Sequence, residues 1–295
     1  MIANIVANYL LDKGLISEEQ FFDLFDELKK VRAKLGLIAV HEGLMTEYQA
    51  DTVNIMQSSM DMKFGDLAIE KGFLTPHQVQ ELLKKQGDPY LSLAQALENL
   101  GIMRLNDLDN LMKRYQVERE LSLSSIEALK SDDLDRIVPL YLPLGAEDYE
   151  PLALLTVKTV MRCVDNNILP TRAYFTDEVY AENGAMQFVD GDPCLTTAMV
   201  GDGIALLDTA RLFGHEDFET VDMDALDSVA ELINCINGMY ASSLSSRRIR
   251  MELYPPEYND SISKVFGAKM LVLPIIVSNK AIDVVFCLGE RLSFE

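Results

Sequence analysis

Hydrophobic and polar residues follow a repeating pattern along the first 116 residues of the chain. Four glycines recur at a spacing of 29 residues: Gly14, Gly43, Gly72 and Gly101. Apolar residues follow each glycine at the spacing of an amphipathic helix, and a small residue precedes it by seven positions. These small residues are Ala7, Gly36, Gly65 and Ala94. Each period therefore predicts a short helix, a tight turn at the glycine and a longer helix.

The start of each longer helix carries a capping signal. A hydroxyl residue lies three positions after the glycine, and a glutamine lies three positions further on: Ser17 with Gln20, Thr46 with Gln49, and Thr75 with Gln78. This spacing is typical of a capping box. The fourth unit has Arg104 at the cap and reads as a degenerate terminal repeat. The pattern predicts an α-helical repeat N-terminal domain over residues 1–116, with four 29-residue units that build their core by stacking.

The period ends after residue 116, and a different pattern follows. Residues 117–145 contain serine-rich and acidic stretches together with Pro139, Pro143 and Gly145, which favour a connector. Residues 146–295 then predict a helix over 152–166 and strands over 173–180, 186–190, 249–256, 270–277 and 282–289. Two β-prone runs in residues 194–208 meet at Gly201-Asp202-Gly203, which predicts a further hairpin. This order predicts an α+β C-terminal domain with helices packed on an antiparallel sheet.

One helix in this second domain, near residues 224–246, has an unusually ordered polar side. Five apolar residues share one arc: Leu226, Val229, Ile233, Ile236 and Tyr240. Asp227, Glu231 and Asn234 fall together on the opposite arc, and Gly238 below them leaves room for something to approach. Glu and Asn three residues apart point the same way, so they can act on one target. Asn237 continues the spacing and is equally well explained as a surface residue.

Composition narrows the classes of partner. The net charge of −21 disfavours nucleic acid and anionic membranes, because both attract clustered Lys and Arg. No apolar run approaches the ~20 residues of a membrane span. The start of the chain lacks the pattern of a signal peptide. Four dispersed Cys and three His predict neither a disulfide framework nor a metal site, so we expect a cytoplasmic protein.

Two of the N-terminal units, residues 34–57 and 63–86, resemble the N-terminal domain of type II secretion and pilus ATPases. The resemblance rests on paired glycines and a closing glutamine in each unit, and it implies a possible nucleotide site for cyclic di-GMP. The corresponding residues are Lys34, Gly36, Gly43, Gln57, Lys63, Gly65, Gly72 and Gln86. The two lysines stand where that family has arginine, which loses bidentate contact with phosphate. A helical scaffold that binds a protein partner is the alternative.

Residues 150–295 resemble the CheC/CheX/FliY family of chemotaxis phosphatases. The signature is an Asp or Ser, then Glu and Asn, with a proline about twenty residues later; here it is matched by Asp227, Glu231, Asn234 and the pair Pro255-Pro256. The first helix lacks a second copy of the motif, as in the CheX-like branch. The resemblance implies a homodimer and a CheY-like receiver as partner. It also implies that the receiver holds the Mg²⁺, so that this chain supplies no cofactor and no metal.

Two functions follow as hypotheses. In the first, the chain is a phosphatase of phosphorylated response-regulator receivers in chemotaxis or two-component signalling. The resemblance then makes Glu231 and Asn234 catalytic and gives Asp227 and Gly238 supporting roles. In the second, the chain is a non-catalytic signalling module that binds a protein or cyclic di-GMP through its N-terminal repeats. The sequence leaves open whether the chain is an enzyme.

Overall fold

A computed structural model of the protein describes residues 1–245 and 248–295. Its contacts divide the chain into two compact units, Ile2–Asp133 and Leu134–Glu295. The first unit extends beyond residue 116, because a ninth helix packs on the seventh and eighth within it. The segment expected to connect the domains, residues 117–145, is therefore helical over much of its length and is shared between the units. In the described part of the chain, no helix is long and apolar enough to cross a membrane.

The first unit is entirely helical. Its helices are α1 (Ile2–Asp12), α2 (Glu18–Leu28), α3 (Leu35–His41), α4 (Glu47–Ser59), α5 (Phe64–Glu70), α6 (Pro76–Lys84), α7 (Pro89–Asn99), α8 (Leu105–Glu118) and α9 (Leu123–Ser131). Helices α1 to α8 form the four predicted units, each a pair of helices joined at a repeat glycine. The predicted α-helical repeat is confirmed.

The turns and caps of the repeat have the predicted geometry. All four repeat glycines adopt the left-handed conformation, with φ between 65° and 70°. Ser17, Thr46 and Thr75 each accept a hydrogen bond from the glutamine amide three residues on, and the glutamine side chain accepts one from the cap amide. At the degenerate fourth cap, the Asp107 carboxylate accepts from the Arg104 N–H at 3.2 Å. The regular turn and cap thus set the helix–turn–helix shape of each unit.

The four units are not stacked in chain order. Helix α7 of the fourth unit packs against α1 and α2 of the first and also against α3 of the second. The third unit then packs on the second through α5 and α6. The buried Gln95 side chain on α7 accepts from the Lys34 N–H at 3.1 Å, which satisfies an amide at the start of α3.

In the part of the chain that the structure describes, the second unit combines helices with nine strands. Its α-helices are α10 (Leu134–Ile137), α11 (Glu150–Cys163), α12 (Gly203–Gly214) and α13 (Met223–Ser245). Its strands are β1 (Leu169–Pro170), β2 (Tyr174–Tyr180), β3 (Asn183–Asp190), β4 (Leu195–Gly201), β5 (Glu252–Leu253), β6 (Glu257–Asn259), β7 (Lys264–Val277), β8 (Lys280–Leu288) and β9 (Ser293–Phe294). Two short 3₁₀ segments, Val138–Tyr141 and Glu147–Tyr149, precede α11.

All pairings in the sheet are antiparallel, which confirms the predicted α+β class. The strand order is β1-β7-β8-β4-β3-β5, with β2 and β9 also pairing with β7 and β6 pairing with β3. The predicted closing hairpin is β7–β8, whose turn places Ser278 and Asn279 at φ of 49° and 64°. Helix α13 packs on β3 and β4, and α12 packs on β4 and β8.

The hairpin predicted over residues 194–208 is wrong. Residues Leu195–Gly201 do form strand β4, but the following residues form helix α12. The Asp202 carboxylate accepts a hydrogen bond from the Ala205 N–H at 2.8 Å and thereby caps this helix. An Asp before a glycine serves a tight turn and a helix start equally well, and here the helix is the outcome.

Candidate functional site

The candidate site lies on α13, which is held against the sheet by its apolar side. The Asp222 carboxylate accepts from the Ala225 N–H at 3.0 Å and caps the start of this helix. The apolar arc predicted from sequence is buried: Leu226, Val229, Ile233, Ile236 and Tyr240. On the other side, Asp227 and Glu231 are exposed and Asn234 is half-buried. The fold therefore brings the three predicted polar residues together on one accessible stripe.

The carboxamide of Asn234 is held in a defined orientation. Its Oδ1 accepts a hydrogen bond from Gln187 Nε2 at 2.8 Å, and its Nδ2 donates to Glu231 Oε2 at 3.4 Å. Gln187 belongs to β3, so the sheet fixes one end of the amide while the other end faces the exposed Glu231. The Nδ2 group is thus the end of Asn234 directed toward the outer side of the site.

A buried chain of polar side chains continues beneath Asn234. Asn237 Nδ2 donates to Gln187 Oε1 at 2.9 Å, and Thr197 Oγ1 donates to Asn237 Oδ1 at 2.8 Å. Gln187, Asn237 and Thr197 are each at most 1% exposed. Asn237 is therefore a buried residue, and the interpretation of it as a surface residue is wrong. Buried polar groups are costly unless they are paired, and here each of the three has a partner.

The predicted proline pair lies beside the same network. Pro255 and Pro256 join β5 to β6, and both strands pack against α13. Just before them, the Tyr254 carbonyl accepts from Gln187 Nε2 at 2.9 Å. The segment that carries the prolines is therefore tied to the residue that orients Asn234.

The two supporting residues have different surroundings. The negative charge of Asp227, with desolvation and a hydrogen bond between the two side chains, raises the pKa of Tyr258. Gly238 is half-buried, and a Cβ built on it would lie 3.9 Å from Leu253, an ordinary contact distance. The space at Gly238 would therefore accept an alanine.

The site offers no activated thiol. Cys235 follows Asn234 and is exposed as a residue, but partial desolvation of its thiol and the negative charge of Glu231 raise the pKa of Cys235. A raised pKa keeps the thiol protonated and weakens it as a nucleophile. Across residues 1–245 and 248–295, no group of three or more His, Cys, Asp or Glu side chains is placed to hold a metal ion.

The residues of the possible nucleotide site serve mainly structural roles in the first unit. Gly43 and Gly72 are turn glycines, while Gly36 and Gly65 are buried where a neighbouring side chain approaches closely. Gln86 Nε2 donates to the Ala33 carbonyl at 3.1 Å. The exposed residues of the set are Lys34, Gln57 and Lys63 together with the two turn glycines, Gly43 and Gly72.

An open groove in the first unit includes part of the first motif only. Lys34 and Gly36 line it, and the remaining six residues of the possible nucleotide site are absent from its described lining. Three carboxylates share the groove with Lys34 and Arg104: Glu47, Asp51 and Glu98. The groove therefore carries no excess of positive charge toward phosphate.

Comparison with known proteins gives likenesses in structure alone. No protein-family model matches the chain, and no curated protein matches it. The chemotaxis protein CheX from Desulfovibrio desulfuricans is 19% identical, with a TM-score of 0.41 over 48% of this chain and 99% of that one. A CheC-like superfamily protein from Shewanella sp. PV-4 is 13% identical, with a TM-score of 0.43 over 50% of this chain and 100% of that one. A chain of the CheX–CheY–BeF3–Mg complex from Borrelia burgdorferi is 15% identical, with a TM-score of 0.37 over 48% and 97% of the two chains.

Proposed function

We propose that the second unit is a CheX-like phosphatase that hydrolyses phosphoaspartate on a CheY-like receiver domain. The observation that carries this proposal is the pair of exposed Glu231 and half-buried Asn234 on α13, with the amide of Asn234 oriented by Gln187. The pair matches the signature of the CheC/CheX/FliY family in residue type and spacing. Its placement on an accessible, well-packed helix suits insertion beside a phosphorylated side chain.

In the hydrolysis of an acyl phosphate, the main task of this chain is to position the attacking water. An acyl phosphate is hydrolysed when a water oxygen attacks phosphorus in line with the aspartyl oxygen that leaves. The new P–O bond forms as the bond to the aspartyl oxygen breaks, the electron pair leaves with the carboxylate, and the proton of the water passes to the released phosphate. The Mg²⁺ of the receiver stabilises the charge on the phosphoryl oxygens.

Asn234 is the residue that positions this water. A carboxamide is neutral at physiological pH and offers both a donor and an acceptor. Its outward Nδ2 donates to the water oxygen, which leaves a second lone pair directed at phosphorus. Glu231 pairs with a lysine of the receiver beside the phosphoryl group, and that ion pair holds Asn234 in place. Asp227 and Gly238 shape the contact surface around them.

The test measures how fast phosphorylated receivers decay. A panel of CheY-like receivers is phosphorylated with acetyl phosphate, desalted, and followed with wild-type protein, Glu231→Ala and Asn234→Ala. We expect the wild type to accelerate the decay of one receiver, and each substitution to remove on the order of 100-fold of that acceleration. Glu216→Ala and Asn166→Ala are matched controls, because both residues are exposed in the same unit and lie outside the site. Decay equal to that in buffer for every receiver would contradict the proposal.

The competing function is a non-catalytic module whose repeats bind cyclic di-GMP. Lys34 and Gly36 line the groove of the first unit, but three carboxylates lie beside them, which disfavours a doubly charged nucleotide. Calorimetric titration of the full chain with cyclic di-GMP separates the two. Neither heat of binding nor a change in melting temperature is expected, and a saturable heat lost in Lys34→Ala would favour the module.

A further inference from the structure

The three buried residues beneath Asn234 come from three different elements, two neighbouring strands and a helix. Gln187 and Thr197 are direct cross-strand partners on β3 and β4, and Asn237 comes from α13, one turn after Asn234. We call Gln187, Asn237 and Thr197 the amide relay. Their side chains form one connected set of hydrogen bonds that ends on Asn234 Oδ1.

Hydrogen-bond polarity gives the amide relay a direction. Thr197 Oγ1 donates to Asn237 Oδ1, so Asn237 must present its Nδ2 to Gln187 Oε1. Because Gln187 Oε1 accepts from Asn237, the other end of the Gln187 amide is Nε2. Nε2 donates one proton to Asn234 Oδ1 at 2.8 Å and the other to the Tyr254 carbonyl at 2.9 Å. Flipping any one amide would set donor against donor or acceptor against acceptor. The Tyr254 carbonyl can only accept, so it fixes the orientation of Gln187 and through it that of Asn234, while the Thr197 hydroxyl pairs with the far end of the amide relay.

We propose, on the basis of the proposed function, that Gln187 is a positioning residue for the phosphatase reaction, and that Asn237 and Thr197 hold Gln187 in its working orientation. Gln187 touches neither the receiver nor the attacking water. It fixes Asn234 with Nδ2 outward before the receiver arrives, so that the amide needs no reorientation during the reaction.

A simpler purpose for the amide relay would be stability alone. The three side chains of the amide relay are at most 1% exposed, so losing any of their hydrogen bonds leaves a buried polar group unpaired. Every substitution in the amide relay is therefore expected to lower the melting temperature. A stability role predicts no effect on turnover by the folded protein. A positioning role predicts a lower kcat with little change in KM, because Glu231, which pairs with the receiver, is left intact.

The sharpest variant is Gln187→Glu, which keeps the length and shape of the side chain. The introduced carboxyl can donate only when it is protonated, and its single proton then serves Asn234 Oδ1 or the Tyr254 carbonyl in place of both. Burial favours the protonated form. We expect kcat relative to the wild type to fall about tenfold at about pH 8 and to recover in part as the pH is lowered toward about 6, because protonation restores one of the two donated hydrogen bonds. A ratio of kcat values that is independent of pH overturns the proposal.

A second variant, Thr197→Val, is less disruptive to folding, and its control, Thr196→Val, lies on the same strand. Thr197→Val removes the hydroxyl at the far end of the amide relay, and we expect a severalfold lower kcat with KM within about twofold of the wild type. Thr196→Val is the matched control. Thr196 is the next residue on the same strand, is fully buried and donates to the Glu290 carbonyl at 2.9 Å on the opposite face. Equal kcat values for Thr197→Val and Thr196→Val would also overturn the proposal.

The side-chain amide resonances of Asn234 test the amide relay without any receiver. We expect them to move with pH between about 6 and 8 in Gln187→Glu and to stay fixed in the wild type. Resonances that are the same in both proteins contradict the amide relay itself. If the resonances move but no receiver is hydrolysed by the wild type, the geometry of the amide relay holds and the phosphatase function fails.

Discussion

Single residues differ in how much of their surroundings the sequence reveals. Glu231 and Asn234 could be selected as a pair, because helical periodicity places them on one side and their types match a family signature. Gln187 could not be selected, because it lies 47 residues from Asn234 and meets it only through the packing of α13 on β3. The same packing buries Asn237, whose type alone favours the surface. The sequence therefore identifies the polar residues of one helix but not their hydrogen-bond partners on other elements.

One buried polar atom contrasts with the fully paired amide relay. Among the described residues, Thr156 Oγ1 on α11 is the one buried side-chain nitrogen or oxygen without a hydrogen-bond partner. Removing an unpaired hydroxyl from the core while keeping its shape is favourable, and Val and Thr have similar helix propensities. We therefore expect Thr156→Val to stabilise the protein by about 1 kcal/mol, measured by urea unfolding.

The control for this prediction lies one turn further along α11. Thr159 is also buried, but its Oγ1 donates to the Leu155 carbonyl at 2.8 Å. Thr159→Val should therefore give no gain in the free energy of unfolding. A gain that is equal in both variants would show that added apolar surface, and not the unpaired hydroxyl, is the cause.

At the scale of helices and strands, a local sequence signal predicted the structure correctly where it was compatible with only one conformation. The 29-residue spacing of the turn glycines and the capping boxes located helices α1 to α8, but not α9, because both signals are fixed by the local backbone geometry of the repeat. The signal at Asp202 had two meanings, a tight turn or a helix cap, and the turn was the wrong choice. The order in which the repeats pack could not be predicted from the sequence either. The apolar faces of the repeats are alike, and no local signal specifies which two faces pack together.

Two of the small residues of the repeat, Gly36 and Gly65, are explained by close approach of a neighbouring helix, which belongs to the next unit for Gly36 and to the same unit for Gly65. A Cβ on Gly36 would lie 3.0 Å from the ring of Phe64, and a Cβ on Gly65 would lie 2.8 Å from Val79 Cγ1. We expect Gly36→Ala and Gly65→Ala each to cost about 1–2 kcal/mol, because crowding in a packed core outweighs the better helix propensity of alanine. Chemical denaturation monitored by far-ultraviolet circular dichroism measures the change.

Gly87→Ala is the matched control for these two substitutions. Gly87 also lies in the first unit, but a Cβ built there meets no atom within 4 Å, and its backbone is outside the left-handed region. We expect Gly87→Ala to leave the unfolding midpoint unchanged or to raise it slightly, since alanine restricts the unfolded chain. If Gly87→Ala lost as much stability as Gly65→Ala, close packing would not explain the cost of alanine at the repeat glycines.

The molecule as a whole is dominated by negative charge. The chain has 47 acidic residues against 26 lysines and arginines, so at least 21 carboxylates have no lysine or arginine to pair with one to one. Among the described residues, most ion pairs have at least one exposed partner, and both partners are exposed in pairs such as Lys29 with Asp26 and Lys84 with Glu81. Exposed pairs contribute little to stability. Repulsion among the unpaired carboxylates is therefore the larger electrostatic effect on the folded chain at neutral pH.

This balance predicts how salt acts on stability. Salt screens repulsion and attraction alike, and the Debye length shortens from about 30 Å at 0.01 M to about 10 Å at 0.1 M. Because repulsion dominates, we expect the melting temperature at pH 7 to rise by a few degrees over this range of sodium chloride. The control is the same titration near the isoelectric point of 4.5, where the net charge is small and the rise should vanish. An equal rise at both pH values would assign the effect to salt exclusion from the surface, and a fall at pH 7 would mean that the ion pairs outweigh the repulsion.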